Sequence, residues 1–129
     1  MLLNINSAMM SLTVSTKLNG QEIAGVFQNA VGSIGFSKIY SNGQTELLIA
    51  TGSKFFFRSN DTIGFFLSAF YDGKETKIDF GRVGGGSGIF NIRWGAGNKV
   101  EENIKIGIAK LAENAGALLN DGNSQPNGI

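Results

Sequence analysis

The 129 residues include no cysteine and no histidine. The first absence excludes disulfides and thiolate nucleophiles, the second every histidine-based triad or acid–base pair, and the two together exclude zinc sites of the usual kind. Charge of one sign is missing as well. Eleven Lys and Arg stand against ten Asp and Glu, a formal net charge of +1. Such a chain has no field to gather a polyanion, so nucleic acid is not an expected partner. No stretch approaches the ~18 consecutive apolar residues of a membrane-spanning helix, and no membrane partner is expected. The opening MLLNINSAMM has no basic region, and Asn4, Asn6 and Ser7 interrupt its apolar run, so it reads poorly as a secretory signal. The expected setting is soluble and cytoplasmic, which suits a chain without cysteine.

What is present is the material of one globular domain. Hydrophobic residues make up 42% and charged residues 16%, and ten Phe outnumber two Tyr and one Trp, which predicts an aromatic core. The boundaries are a single α+β domain over residues 1–119 and a flexible tail over 120–129.

Met10–Leu18 alternates: Met10, Leu12, Val14, Thr16 and Leu18 on one face, and Ser11, Thr13, Ser15 and Lys17 on the other. This is a strand with one buried face. Asn19 follows as a helix N-cap with Glu22 at the third helical position. Ile23, Phe27, Ala30 and Val31 keep helical spacing, predicting a helix near 20–32 ended by Gly32 or Gly35. A meander of antiparallel strands comes next. Ile34–Tyr40 and Thr45–Thr51 flank Asn42-Gly43, a two-residue hairpin signal. Gly52-Ser53 marks a bend or bulge before Lys54–Arg58. Ser59-Asn60-Asp61 turns into Thr62–Tyr71, and Asp72-Gly73 leads into Glu75–Val83. Gly88–Trp94 reads as the last strand. Asn98 then caps a helix of about six turns, with Glu101 as the reciprocal acceptor. Its apolar stripe is Val100, Ile104, Ile108, Leu111, Ala115, Leu118 and Leu119, and Asn120-Asp121-Gly122 stops it. The expected fold is a curved antiparallel sheet of about six to seven strands, with two helices packed on one face.

That order of elements resembles the helix-grip architecture of START-like lipid-binding domains, and also the shorter strand–helix–four-strand–helix fold of TATA-binding-protein-like domains. The stretches FFFRSNDTIGFFLSAFYDG and GGGSGIFNIRWGAGN are similar to small bacterial proteins of an uncharacterised domain family. These resemblances imply a fold and carry no activity.

The stretch GRVGGGSG, residues 81–88, offers the first site to weigh. Gly84, Gly85 and Gly86 can form a backbone anion nest with Arg82 as counter-charge. No GK[ST] follows and the run lies between two strands, so a flexible hairpin or a bulged bend that lets the sheet curl is the favoured reading. Trp94 at the strand-to-helix corner completes the candidate ligand-binding set. The free amides at that corner are answered by Asn98, Glu101 and Glu102, which repel an anion. Arg82 shares the face of Ile78 and Phe80, so it either anchors an acidic ligand under the helices or pairs with a carboxylate at the rim. Acid–base chemistry would fall to Asp61, Tyr71, Glu75, Asp79 or a lysine, which form no recognisable pair. No catalytic residue, metal site or cofactor is expected.

Phe55, Phe56, Phe57, Phe65, Phe66 and Phe70 put apolar groups on both faces of the sheet, while the helices cover one, so the N-terminal octapeptide or a second copy of the chain is expected to cover part of the other. The expected function is therefore a non-catalytic binding or interaction domain, with a small hydrophobic ligand held between sheet and helix. The first alternative is a structural protein that self-associates through its sheet into a homodimer or higher oligomer. The second is an enzyme working without histidine or cysteine.

Overall fold

Alternation in the first strand and three- and four-residue spacing in the helices decide which side of the molecule becomes the core. The computed structural model describes residues 9–85 and 96–121. Along the chain it runs β1 (Met9–Val14), α1 (Gly20–Val31), β2 (Ser33–Ser41), β3 (Glu46–Phe56), β4 (Asp61–Tyr71), β5 (Thr76–Gly85), α2 (Ala96–Asn114) and β6 (Leu119–Asp121). The strands form one open antiparallel sheet in the order β2-β3-β4-β5-β1-β6. The fold is α+β, and no described helix is long and apolar enough to cross a membrane. The expected strand over Gly88–Trp94, with Gly86, Trp94 and the corner after it, lies outside the described residues.

Both helices lay their apolar stripes on the same face of the sheet. Ile23, Phe27, Ala30 and Val31 of α1 and Val100, Ile104, Ile108 and Ala112 of α2 are buried against Leu12, Val14, Leu48, Ala50, Ile63, Phe65, Leu67, Ile78 and Phe80. Full burial of side chains this size contributes about 1.5–3 kcal/mol each, which makes this single layer the main source of stability. Contacts at two glycines set how close the helices come. A Cβ on Gly52 of β3 would lie 2.6 Å from the Ser33 carbonyl and 2.8 Å from Cγ2 of Val31. One on Gly107 of α2 would lie 2.5 Å from Cγ1 of Val26. Hydrogen in place of a methyl at these points lets α1 touch both the sheet and α2.

Local chemistry explains where the elements stop. Asn19 caps α1 as expected, its side-chain oxygen accepting from the amides of Gln21 (2.8 Å) and Glu22 (3.2 Å), and Gly32 closes it, donating its N–H to the Gln28 carbonyl. β1 leaves its ladder at Val14 rather than Leu18. Beyond that point buried Thr76 holds the chain: its hydroxyl accepts from the Leu18 amide (3.2 Å) and donates to the Thr16 carbonyl (2.7 Å). The two hairpins share one design. Asn42 and Asp72 each accept two amides three or fewer residues on, Gln44 and Thr45 in one case and Lys74 and Glu75 in the other. The resulting loops span four residues instead of two, because the side chain closes an Asx turn that the backbone follows. The same amides hold the exposed Asp72 carboxyl below its ordinary value of 3.8.

Three expectations are corrected. β3 runs unbroken through Gly52 and Ser53, paired to β4 from Glu46↔Tyr71 to Phe56↔Asp61. The irregularity lies across from it, in β2, where Gly35 is the extra residue between Ile34↔Gly52 and Phe36↔Thr51. Helix α2 includes Asn98 instead of starting after it. It also ends at Asn114, short of Leu119. Gly116 (φ +69°) turns the chain, with the Ala117 amide bonded to the Ala112 carbonyl (2.9 Å) and the Gly116 amide to the Glu113 carbonyl (3.0 Å), a Schellman closure. The released segment becomes β6 on the far side of β1, so Asn120 and Asp121 belong to the sheet and not to a tail. Asp121 is fixed to α2 by an ion pair with Lys105.

The steric requirement at Gly52 is open to test. Gly52→Ala should lower stability by about 2 kcal/mol, the usual effect of forcing a methyl into a packed contact. Gly25→Ala, inside α1 with nothing within 4 Å of a new Cβ, should raise it by ~0.5–1 kcal/mol through helix propensity. Urea unfolding of both variants measures the difference, and equal effects would contradict the packing described.

Candidate functional site

The glycine stretch does not begin as a loop. Gly84 and Gly85 continue β5, paired to Gly64 and Ile63 of β4, and the register slips at Val83, an extra residue between Phe65↔Arg82 and Gly64↔Gly84. A bulged bend is thus the conformation the backbone takes at 83–85. Gly86 and Trp94 fall outside the described residues, so of the five expected ligand contacts the structure places three.

Arg82 does turn under the helices, on the face of Thr76, Ile78 and Phe80. There it meets Glu101 of α2, with Nε 3.3 Å from Oε2 and side chains only 11% and 8% exposed. Glu101 lies three residues before Ile104 and seven before Ile108, on the buried stripe of α2. The carboxylate expected to serve the helix N-terminus is therefore the rim partner of Arg82. Desolvation raises the Glu101 pKa above its ordinary 4.5, and the charge of Arg82 offsets part of that. The pair ties α2 to β5 at a cost in desolvation, a known property of buried ion pairs.

This pair gives a pH-dependent prediction. A carboxyl whose pKa is raised by folding contributes its stability below the unfolded value and loses it as pH rises through the folded value. Glu101→Gln should therefore match the native chain in acid and equal or exceed it near neutrality. Arg82→Met leaves the carboxylate buried without that guanidinium and raises its pKa further. It should cost about 3 kcal/mol near neutral pH, with the loss shrinking as pH falls toward 4.5. Urea unfolding across that range reads both effects, and a loss for Arg82→Met that grows in acid would exclude this account.

The other polar residues considered for catalysis are dispersed. Asp61 and Tyr71 stand at opposite ends of β4, roughly 33 Å apart at 3.3 Å per residue. Tyr71 donates to the Gly73 carbonyl (2.9 Å). Glu75 lies 3.8 Å from Lys77 at the turn, and Asp79 accepts from the Ser11 hydroxyl on the uncovered face. Among the described residues no group of three or more Asp and Glu can hold a metal ion. Two surface clefts among the described residues are open to solvent. That of about 380 Å³ beside Lys17, Asn19, Ile39 and Glu46, and that of about 300 Å³ between Val26 and Ile106, contain no charged group turned inward from a buried position.

The face of the sheet turned away from the helices is organised differently. Register places its side chains in ranks across β2, β3, β4 and β5. The first rank is Tyr40, Leu47, Phe70 and Lys77, the second Lys38, Ile49, Ser68 and Asp79, the third Phe36, Thr51, Phe66 and Gly81. Six of these twelve are large apolar residues. Phe36, Tyr40 and Phe70 keep 47%, 49% and 41% of their surface exposed. Four strands at about 4.8 Å and three ranks at about 6.7 Å cover roughly 400 Å², about half of it under large apolar side chains. Consecutive phenylalanines in β3 and β4 signalled this face in the sequence. The β2 contribution, Phe36 and Tyr40, was missed, because a two-residue turn at Asn42-Gly43 opposes Tyr40 to Thr45, whereas the four-residue loop opposes it to Leu47.

Comparison of the chain with protein-family models, with curated proteins and with solved structures returns no match.

Proposed function

We propose that the chain is a non-catalytic interaction domain that pairs with a second copy of itself through the uncovered face of its sheet. The observation that carries this reading is the rank structure of that face, where six large apolar side chains stand together with neither described helix above them. The edges of the sheet support it by contrast. β2 is interrupted by the Gly35 bulge and carries Lys38, while β6 is three residues long. Both are devices that discourage edge-to-edge pairing. With a formal charge of +1, two copies also meet little net repulsion.

A hydrophobic ligand between sheet and helices has less support. Phe27, Phe65 and Phe80 occupy that layer with none of their surface exposed, and Gly52 and Gly107 bring the helices close instead of leaving a gap. A cytoplasmic setting goes with the absence of cysteine.

Light scattering coupled to size exclusion tests the reading. The native chain should run at twice 13.7 kDa at about 100 μM and dissociate on dilution, as expected of a small interface of micromolar affinity. Phe70→Glu should stay monomeric with an unchanged far-ultraviolet spectrum, because Phe70 is already 41% exposed. A native chain that is monomeric at every concentration would remove the proposal.

A further inference from the structure

The uncovered face is sorted by charge as well as by polarity. In its middle rank Lys38 stands on the edge strand β2 and Asp79 on β5, with Ile49 and Ser68 between them and Ser11 of β1 beyond Asp79. Lys38 is exposed, and Asp79 is half-buried with the Ser11 hydroxyl donating to its Oδ1, which fixes the carboxylate on this face. Opposite charges on β2 and β5, which flank the apolar residues of β3 and β4, restrict how a second copy can sit.

Sheets that pack face to face lie about 10 Å apart with their strands within about 30° of each other. A closed pair of identical chains is related by a two-fold axis, and for apposed faces that axis lies between the sheets. An axis running across the strands at the middle rank sets Lys38 on Lys38 and Asp79 on Asp79, juxtapositions that oppose association. An axis parallel to the strands, between β3 and β4, carries β2 of one copy over β5 of the other. Lys38 then meets Asp79 twice. The same operation sets Tyr40 against Lys77, Leu47 against Phe70, and the rings of Phe36 and Phe66 against the small Gly81 and Thr51. Charge and size are complementary in one arrangement and conflict in the other.

We infer that the dimer forms about a two-fold axis parallel to the strands and between β3 and β4, with Lys38 of each copy paired to Asp79 of the second copy. This inference rests on the self-association proposed above, and sedimentation of charge-reversed variants tests it separately. In a homodimer Lys38→Glu brings the introduced carboxylate against Asp79 twice, and Asp79→Lys brings the introduced ammonium against Lys38 twice. Each should weaken self-association about ten-fold or more. Mixing the two variants restores both opposite-charge contacts, so the mixture should form a heterodimer near native affinity, and the double variant Lys38→Glu, Asp79→Lys should self-associate like the native chain. Recovery in the mixture cannot come from a misfolded variant, which guards against loss of fold as the cause. Single variants that pair like the native chain, or a mixture no tighter than its components, would overturn this axis. If Phe70→Glu still abolishes pairing in that case, the self-association reading stands without it. A native chain that never self-associates would overturn both.

Discussion

Two helices can cover one face of a six-stranded sheet, and the chain provides two. This constraint shapes the rest of the molecule. Every long apolar side chain of α1 and α2 that is fully buried points to the same layer, where it meets the alternate residues of β1, β3, β4 and β5. The layer is thin and closely held, as Gly52 and Gly107 show, since at both positions a single methyl would collide with the facing element. Polar groups enter it only with partners. Thr76 is satisfied by the chain leaving β1, and Arg82 and Glu101 enter together. Among the described residues the opposite face has no such cover, and Phe36, Tyr40 and Phe70 on it are exposed.

A sheet with one bare face has two ways of meeting another molecule, along an edge or across the face. The edges here are poorly suited. The bulge at Gly35 disturbs the regular spacing of free amides and carbonyls on β2, and β6 is too short to template much pairing. The face, in contrast, has its large residues aligned by register, so Tyr40, Leu47 and Phe70 stand side by side on three neighbouring strands. Backbone hydrogen bonding is already satisfied there, which leaves side-chain burial as the source of any affinity. That favours a partner with a similarly flat apolar surface, and a second copy of the chain has one.

Much of this was legible in the residues, where a local rule and the tertiary structure agreed. Asn19 caps α1 because its side chain reaches amides two and three residues away, a contact that needs nothing from the rest of the fold. The faces of β1 and β5 followed from alternation, including the inward turn of Arg82. Errors arose where a distant element decided the outcome. Leu118 and Leu119 extend the helical period of α2 by coincidence. Gly116 ends the helix there because the following residues find hydrogen bonds on β1, with Ser15 donating its amide to the Leu118 carbonyl and accepting the Leu118 amide at its hydroxyl. Glu101 matched a capping pattern, yet a buried guanidinium from a strand sixteen or more residues earlier claimed it. Gly52 looked like a break in its strand, while its real role is to admit α1, a requirement visible only once the helix is in place.

The division between the two faces also determines what kind of association the molecule supports. The helix-covered layer contains Phe27, Phe65 and Phe80 at zero exposure within a single copy, so folding does not wait for a partner. The bare face is half apolar in its twelve central positions, with Lys38, Lys77, Asp79, Thr51 and Ser68 among them. That balance matches interfaces between proteins that are stable apart, whereas obligate dimers bury a surface closer to a domain core in composition. Its polar members keep the face tolerable in water, and its aromatic members are those that the proposed pairing would bury. The proposed pairing would therefore be separable from folding, because the side chains of the core point away from those of the outer face.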